Sequence, residues 1–198
     1  MDTHVEVIDL GPVAHAMTAL LDGITDDRLG DPTPCPDYTV RDLLGHVMGL
    51  TLAFRDAARK DFGPTTDTDP GAVRPVLDDD WRAALPHRLD ELAAAWRAPE
   101  AWHGTTRAGG VVLPGGVAGL VALDEVLVHG WDLARATGQA YAPDEAALRA
   151  SYALLATDAD TRGDGGPFGR PVPVPDGAPL LHRVVALSGR RPDWRPER

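Results

Sequence analysis

Residues 115–138, GGVAGLVALDEVLVHGWDLARATG, constrain what this chain can fold into more than any other stretch. Val117, Leu120, Val121, Leu123, Val126, Leu127, Val128, Trp131 and Leu133 leave a helix here no wide polar face, which predicts a buried helix. Its middle nevertheless carries Asp124, Glu125, His129 and Asp132. Ionised groups inside a core are costly unless they are paired or bind a metal. Glu125, His129 and Asp132 fall at i, i+4 and i+7, so they share one stripe. The stripe reads as half of a metal site whose other half comes from elsewhere in the chain.

A candidate for that other half lies on a second helix. Thr39 is a natural N-cap, and Asp42 sits where a carboxylate completes a capping box and suits the positive end of the helix dipole. Val40, Leu43, Leu44, Val47, Met48, Leu50, Thr51 and Phe54 supply an apolar face up to about Arg59, and His46 lies among them. His46, Glu125 and His129 make a His/Glu/His set, whose nitrogen and oxygen donors suit a divalent first-row metal, Zn²⁺ foremost, with Ni²⁺, Fe²⁺ or Mn²⁺ open. Three protein ligands leave a position for water or substrate, the arrangement of catalytic zinc. The bland alternative stays open beside it: Glu125 and His129 as a buried hydrogen-bonded pair without an ion, and His46 as a core histidine. Asp132 would orient a ligand histidine or bond Arg135. Asp42 would support His46 at i, i+4, although capping explains it as well.

The rest of the chain predicts a mainly α fold, an up-down four-helix bundle with a small β-hairpin and a short C-terminal helical extension. Residues 5–24 read as an amphipathic helix whose start Gly11-Pro12 delays or kinks. Residues 24–38 read as a loop, and Cys35, between two prolines with nothing basic beside it, as a packed thiol. Residues 61–75 form a polar connection. A third helix starts after Asp78-Asp79-Asp80, and Pro86 is expected to kink or split it. Residues 102–114 read as two strands around Gly109-Gly110. Further helices begin near Pro143 and Pro179, with an irregular loop at 161–177. His15 reads as a surface or half-buried histidine and His87 as a structural one, while His103 beside the hairpin could approach a site, although nothing in the spacing demands it. The loops favour antiparallel neighbours, and the chain divides as one domain over 1–198, a bundle over about 5–160 and an extension over about 161–198.

Composition narrows the function classes. The 198 residues are 43% hydrophobic and 25% charged, as expected of a globular domain. A net charge of −11 without a basic stripe argues against nucleic acid or an anionic membrane surface as the main partner. No signal peptide and no uncharged transmembrane run is seen, so the expected location is the cytoplasm, as a monomer or homodimer. Cys35 is the one cysteine, which excludes an intrachain disulfide and a cysteine zinc cluster.

Three stretches together resemble a known family: TPCPDYTVRDLLGHVMG (33–49), LDEVLVHGWDLARATGQ (123–139) and the terminal LSGRRPDW (187–194). They are similar to the actinobacterial DinB/YfiT-like family that includes the metal-binding domain of mycothiol-dependent maleylpyruvate isomerase, in its short single-domain form. The resemblance implies a DinB/YfiT-type bundle holding one divalent metal, usually zinc, on His46, Glu125 and His129. In such relatives the metal activates a low-molecular-weight thiol, which adds to an electrophile. The partners implied are therefore mycothiol or a similar thiol and an electrophilic small molecule, in isomerase or transferase chemistry. Arg135 is the candidate for contacting the cofactor or an anionic substrate, and Asp132 and Asp42 for orienting the histidines. A non-catalytic metal sensor or partner-binding bundle is the alternative.

Overall fold

Proline and glycine decide where the first helix starts. In the computed structural model, which describes residues 7–72, 75–163 and 168–196, α1 runs Gly11–Leu21. Pro12 occupies its first turn, where a missing N–H is no loss, and Asp9 Oδ1 accepts from the Gly11 N–H at 2.9 Å. The helix is therefore shorter than the 5–24 expected from periodicity. Val7 is exposed outside it, and Val5 lies outside the described residues.

Helix α2 (Val40–Arg59) begins with the expected capping box: Thr39 Oγ1 accepts from the Asp42 N–H at 3.3 Å and Asp42 Oδ2 accepts from the Thr39 N–H at 3.1 Å. The connection after it contains a one-turn helix, α3 (Pro64–Asp67), where the sequence suggested only a polar loop. Helix α4 (Trp81–Trp96) passes through Pro86 without splitting. The bond that Pro86 removes would have gone to the Arg82 carbonyl, and Arg82 is exposed, so water can take it. A short α5 (Pro99–Trp102) leads into the hairpin of β1 (Thr105–Ala108) and β2 (Val111–Pro114), paired antiparallel from Thr105↔Pro114 to Ala108↔Val111. Gly109 and Gly110 at its turn have φ of 59° and 77°, the left-handed pair that a two-residue hairpin loop requires.

Helix α6 (Gly115–Thr137) is the buried helix anticipated from its composition, stopped by Gly138 in the left-handed region. Helices α1 and α2 both pack against α4 and α6, so the ring order is α1–α4–α2–α6. Chain neighbours α1 and α2 thus stand across the bundle from each other, and α6 contacts both α1 and α2. Gly119 of α6 allows a close approach: a Cβ there would lie 2.8 Å from the Trp102 ring, which stands edge-on to Trp96. Helix α7 (Glu145–Ala156) packs on the outside of α6, and α8 (Leu180–Leu187) packs on α7. Among the described residues no helix is long and apolar enough to cross a membrane.

Candidate metal centre

The contact between α2 and α6 brings the two halves of the site together. His46 projects from α2, and Glu125 and His129 project from successive turns of α6. Glu125 Oε2 lies 3.4 Å from His46 Nε2 and 3.1 Å from His129 Nε2. The two imidazoles meet edge-on, 4.9 Å between centroids, and Tyr38 lies against the outer side of His46 at 5.4 Å. Among the described residues, these three offer ligand atoms that all lie within 4.8 Å of one another.

Asp132 completes the stripe from beneath. Its Oδ2 lies 3.0 Å from His129 Nδ1, so the ring is held between two carboxylates. Burial opposes protonation of His129, but its bonds to Asp132 and Glu125 outweigh that and raise it to about 9. Burial likewise opposes ionisation of Glu125, and the two histidines override it, holding the carboxyl well below its usual range. Asp132 is lowered too: burial works against its charge, while Arg190 and His129 favour it. Asp124, on the other side of α6, is raised to about 7 by burial and receives a hydrogen bond from the Ser151 hydroxyl.

Arg190, from the segment after α8, was not anticipated. Its Nη2 reaches Asp132 Oδ2 at 3.1 Å. Arg190 lies in the terminal LSGRRPDW stretch, to which the sequence reading gave no role, but a carboxylate as deeply buried as Asp132 demands a cation, and that demand is legible in the sequence. Arg135 is directed to the same segment: its Nη2 donates to the Trp194 carbonyl at 2.5 Å, and its guanidinium lies 5.9 Å from the Trp131 ring centre. Asp132 is thus served by Arg190, where the sequence suggested Arg135. Asp42 is engaged with Thr39, whose hydroxyl donates to it at 2.6 Å, as its capping role requires. Cys35 keeps its thiol proton: burial raises its pKa to about 11, against the opposing charge of Arg190. His15, His87 and His103 are exposed and stand outside the cluster.

The residues fit a divalent cation. Ligand atoms around a tetrahedral zinc stand roughly 3.3 Å apart, close to the spacing of both Glu125–histidine pairs. Counting Glu125, Asp132 and Arg190, and taking both histidines as neutral, leaves the cluster one negative charge in a largely dry place. A proton on His129 cancels that charge in the metal-free protein. A divalent ion would replace the proton and leave a net positive charge, which suits an anionic further ligand.

Comparison with known proteins identifies the family. The family model for the mycothiol maleylpyruvate isomerase N-terminal domain matches residues 10–134, a span that contains His46, Glu125, His129 and Asp132. Two uncharacterized proteins from two strains of Mycobacterium tuberculosis are each 32% identical over 177 residues, covering 88% of this chain and 92% of theirs. Among solved structures, the fold is similar to that of the mycothiol-dependent maleylpyruvate isomerase, with a TM-score of 0.53 at 20% identity. That match covers 72% of this chain and 65% of the isomerase, so this chain spans less than two thirds of the isomerase's length. A histidine-to-alanine mutant of the same enzyme matches with a TM-score of 0.56 at 18% identity. By the matched span and by its mycobacterial relatives, this chain belongs to the mycothiol maleylpyruvate isomerase N-terminal domain family.

Proposed function

We propose that this chain binds one divalent metal, Zn²⁺ foremost, on His46, Glu125 and His129, and acts in the cytoplasm as a thiol-dependent isomerase or transferase using mycothiol or a similar thiol. The observation that carries this reading is the convergence of the three donors at the open end of the α2–α6 seam. The His46 and Glu125 side chains are 13% and 19% exposed, whereas Asp132 behind them is fully buried. The donors are therefore partly open to solvent, and the carboxylate behind them is not.

A metal held there would lower the pKa of a bound thiol and favour the thiolate as nucleophile. The chain's own groups have distinct parts. Asp132 holds His129 by Nδ1 and leaves Nε2 facing Glu125. Tyr38 walls the outer side of His46, and Cys35 rests protonated, leaving the role of nucleophile to the incoming thiol. Arg135 holds the Trp194 end of the C-terminal segment close to α6.

Elemental analysis of protein purified without chelator tests the metal. Near-stoichiometric metal in the wild type and its loss in His46→Ala are expected. A folded wild type that stays metal-free after supplementation overturns the proposal. Thiol chemistry is tested by turnover against a panel of electrophiles and by the visible spectrum of the cobalt-loaded protein on addition of mycothiol. Metal without turnover or spectral change identifies a sensor or partner-binding bundle instead.

A further inference from the structure

Arg190 lies outside the span that the family model matches, yet it is bonded to the residue that holds His129. We propose that Arg190 is a positioning residue for the metal centre, acting through Asp132, and that segment 188–194 is thereby a working part of the site. The inference rests on the metal-binding reading of His46, Glu125 and His129.

The argument begins with the two nitrogens of His129. Nε2 faces Glu125, so ligation through Nε2 requires the proton to stay on Nδ1 and be donated to Asp132. Asp132 must then remain a carboxylate in a place with no water contact. Once His129 is a neutral ligand, Arg190 is the cation bonded to Asp132 among the described residues. Asp132 Oδ1 and Arg190 Nε are both buried without a hydrogen-bond partner among the described residues, so the pair retains the second acceptor and donor of a two-pronged bridge. Lysine, a point charge on a flexible stem, cannot supply that fork.

The backbone around Arg190 is built to deliver it. Gly189, with φ of 90°, turns the chain out of α8, and the Arg190 N–H donates to the Val185 carbonyl at 2.9 Å. Arg190 Nη1 donates to the Ser188 carbonyl at 3.1 Å. A Cβ on Gly189 would lie 2.8 Å from Gly169 Cα, so the turn is also wedged from the other side. Arg190 on Asp132 and Trp194 on Arg135 then tie the segment to α6 at two points.

Zinc affinity measured by chelator competition on the full chain tests the proposal, using wild type, Arg190→Met, Arg190→Lys, Asp132→Asn and the Arg190→Met/Asp132→Asn double variant. Arg190→Met should weaken binding roughly 10–100-fold, and Arg190→Lys should recover part of that loss. In the Asp132→Asn background the same Met substitution should cost less than about twofold, because its route to His129 is already cut. The cobalt-loaded Arg190→Met protein should also show a shifted visible spectrum. A general folding defect would instead cost the same in both backgrounds, and that result overturns the proposal. So does an Arg190→Met protein that binds within about twofold of wild type, which leaves the metal reading standing. A wild type that binds no zinc removes both.

Discussion

Metal binding at this site should release a proton from His129, so affinity should climb with pH. In the metal-free protein His129 titrates at about 9 because, although burial works against the imidazolium, Asp132 and Glu125 both bond it. Ligation through Nε2 requires the neutral ring, so proton and metal compete for the same atom. At about pH 7, two units below the His129 value, the competition lowers the apparent affinity by roughly two decades, or about 2.7 kcal/mol. Glu125 is already ionised there and adds no proton. The His129 contribution should therefore be about tenfold in affinity per pH unit from about pH 6 upward, flattening near 9. Calorimetric titration with Zn²⁺ in two buffers of different ionisation enthalpy counts the released proton directly. Asp132→Asn removes one of the two groups that raise His129, so it should flatten the slope while weakening the ligand. Its penalty should accordingly be larger at about pH 9 than at about pH 7. Affinity that stays level between about pH 6 and 8, with heats independent of buffer, would refute the competition and the His129–Asp132 bond as its cause.

Without metal, the dependence of stability on pH runs the other way. The raised pKa of His129 contributes on the order of 3 kcal/mol, complete below its ordinary value of 6.5 and lost as pH rises through about 9. The depressed Glu125 contributes above its ordinary 4.5 and loses that contribution as pH falls. The metal-free protein should thus melt highest in a mildly acidic window between those values, and excess Zn²⁺ should move the maximum toward higher pH in thermal melts. Thr39→Ala removes the α2 cap, a loss of about 1 kcal/mol that urea unfolding should register. Gly130→Ala places a Cβ 2.5 Å from the Tyr141 hydroxyl and should destabilise by about 1–3 kcal/mol, with metal affinity falling too because Gly130 adjoins His129. An unchanged urea midpoint would show that Tyr141 can move aside.

What could be read from the sequence was local or chemical. The capping box at Thr39, the glycine pair at the hairpin turn and the stop at Gly138 are decided by neighbours within a few residues, and all three are present. Apolar residues on every side of α6 required burial, and its charged residues required partners. His46 stood out as a titratable group on an otherwise apolar face, and it lies 3.4 Å from Glu125 across the contact of α2 with α6. What the sequence concealed depends on neighbours distant in the chain. Periodicity carries no information about which helices adjoin, and connections as long as 22–39 allow α1 and α2 to stand on a diagonal. The delayed start of α1 at Gly11-Pro12 was legible as well, whereas the continuity of α4 through Pro86 depends on Arg82 facing solvent.

Arg190 marks the boundary between these two kinds of information. The charge balance of α6 was visible from the start: Glu125 and Asp132 on a buried stripe need more positive charge than one histidine can give while it also serves as a neutral ligand. Sequence alone could say that a cation was owed, but not which of the chain's 19 arginines and lysines supplies it. The fold selects one by stacking α8 on α7, α7 on α6, and turning the chain at Gly189. The outer helices are therefore more than a cover for the bundle. They carry the counter-charge of Asp132 to α6, so if His129 binds a metal as proposed, destabilising the α7–α8 layer should also weaken metal affinity.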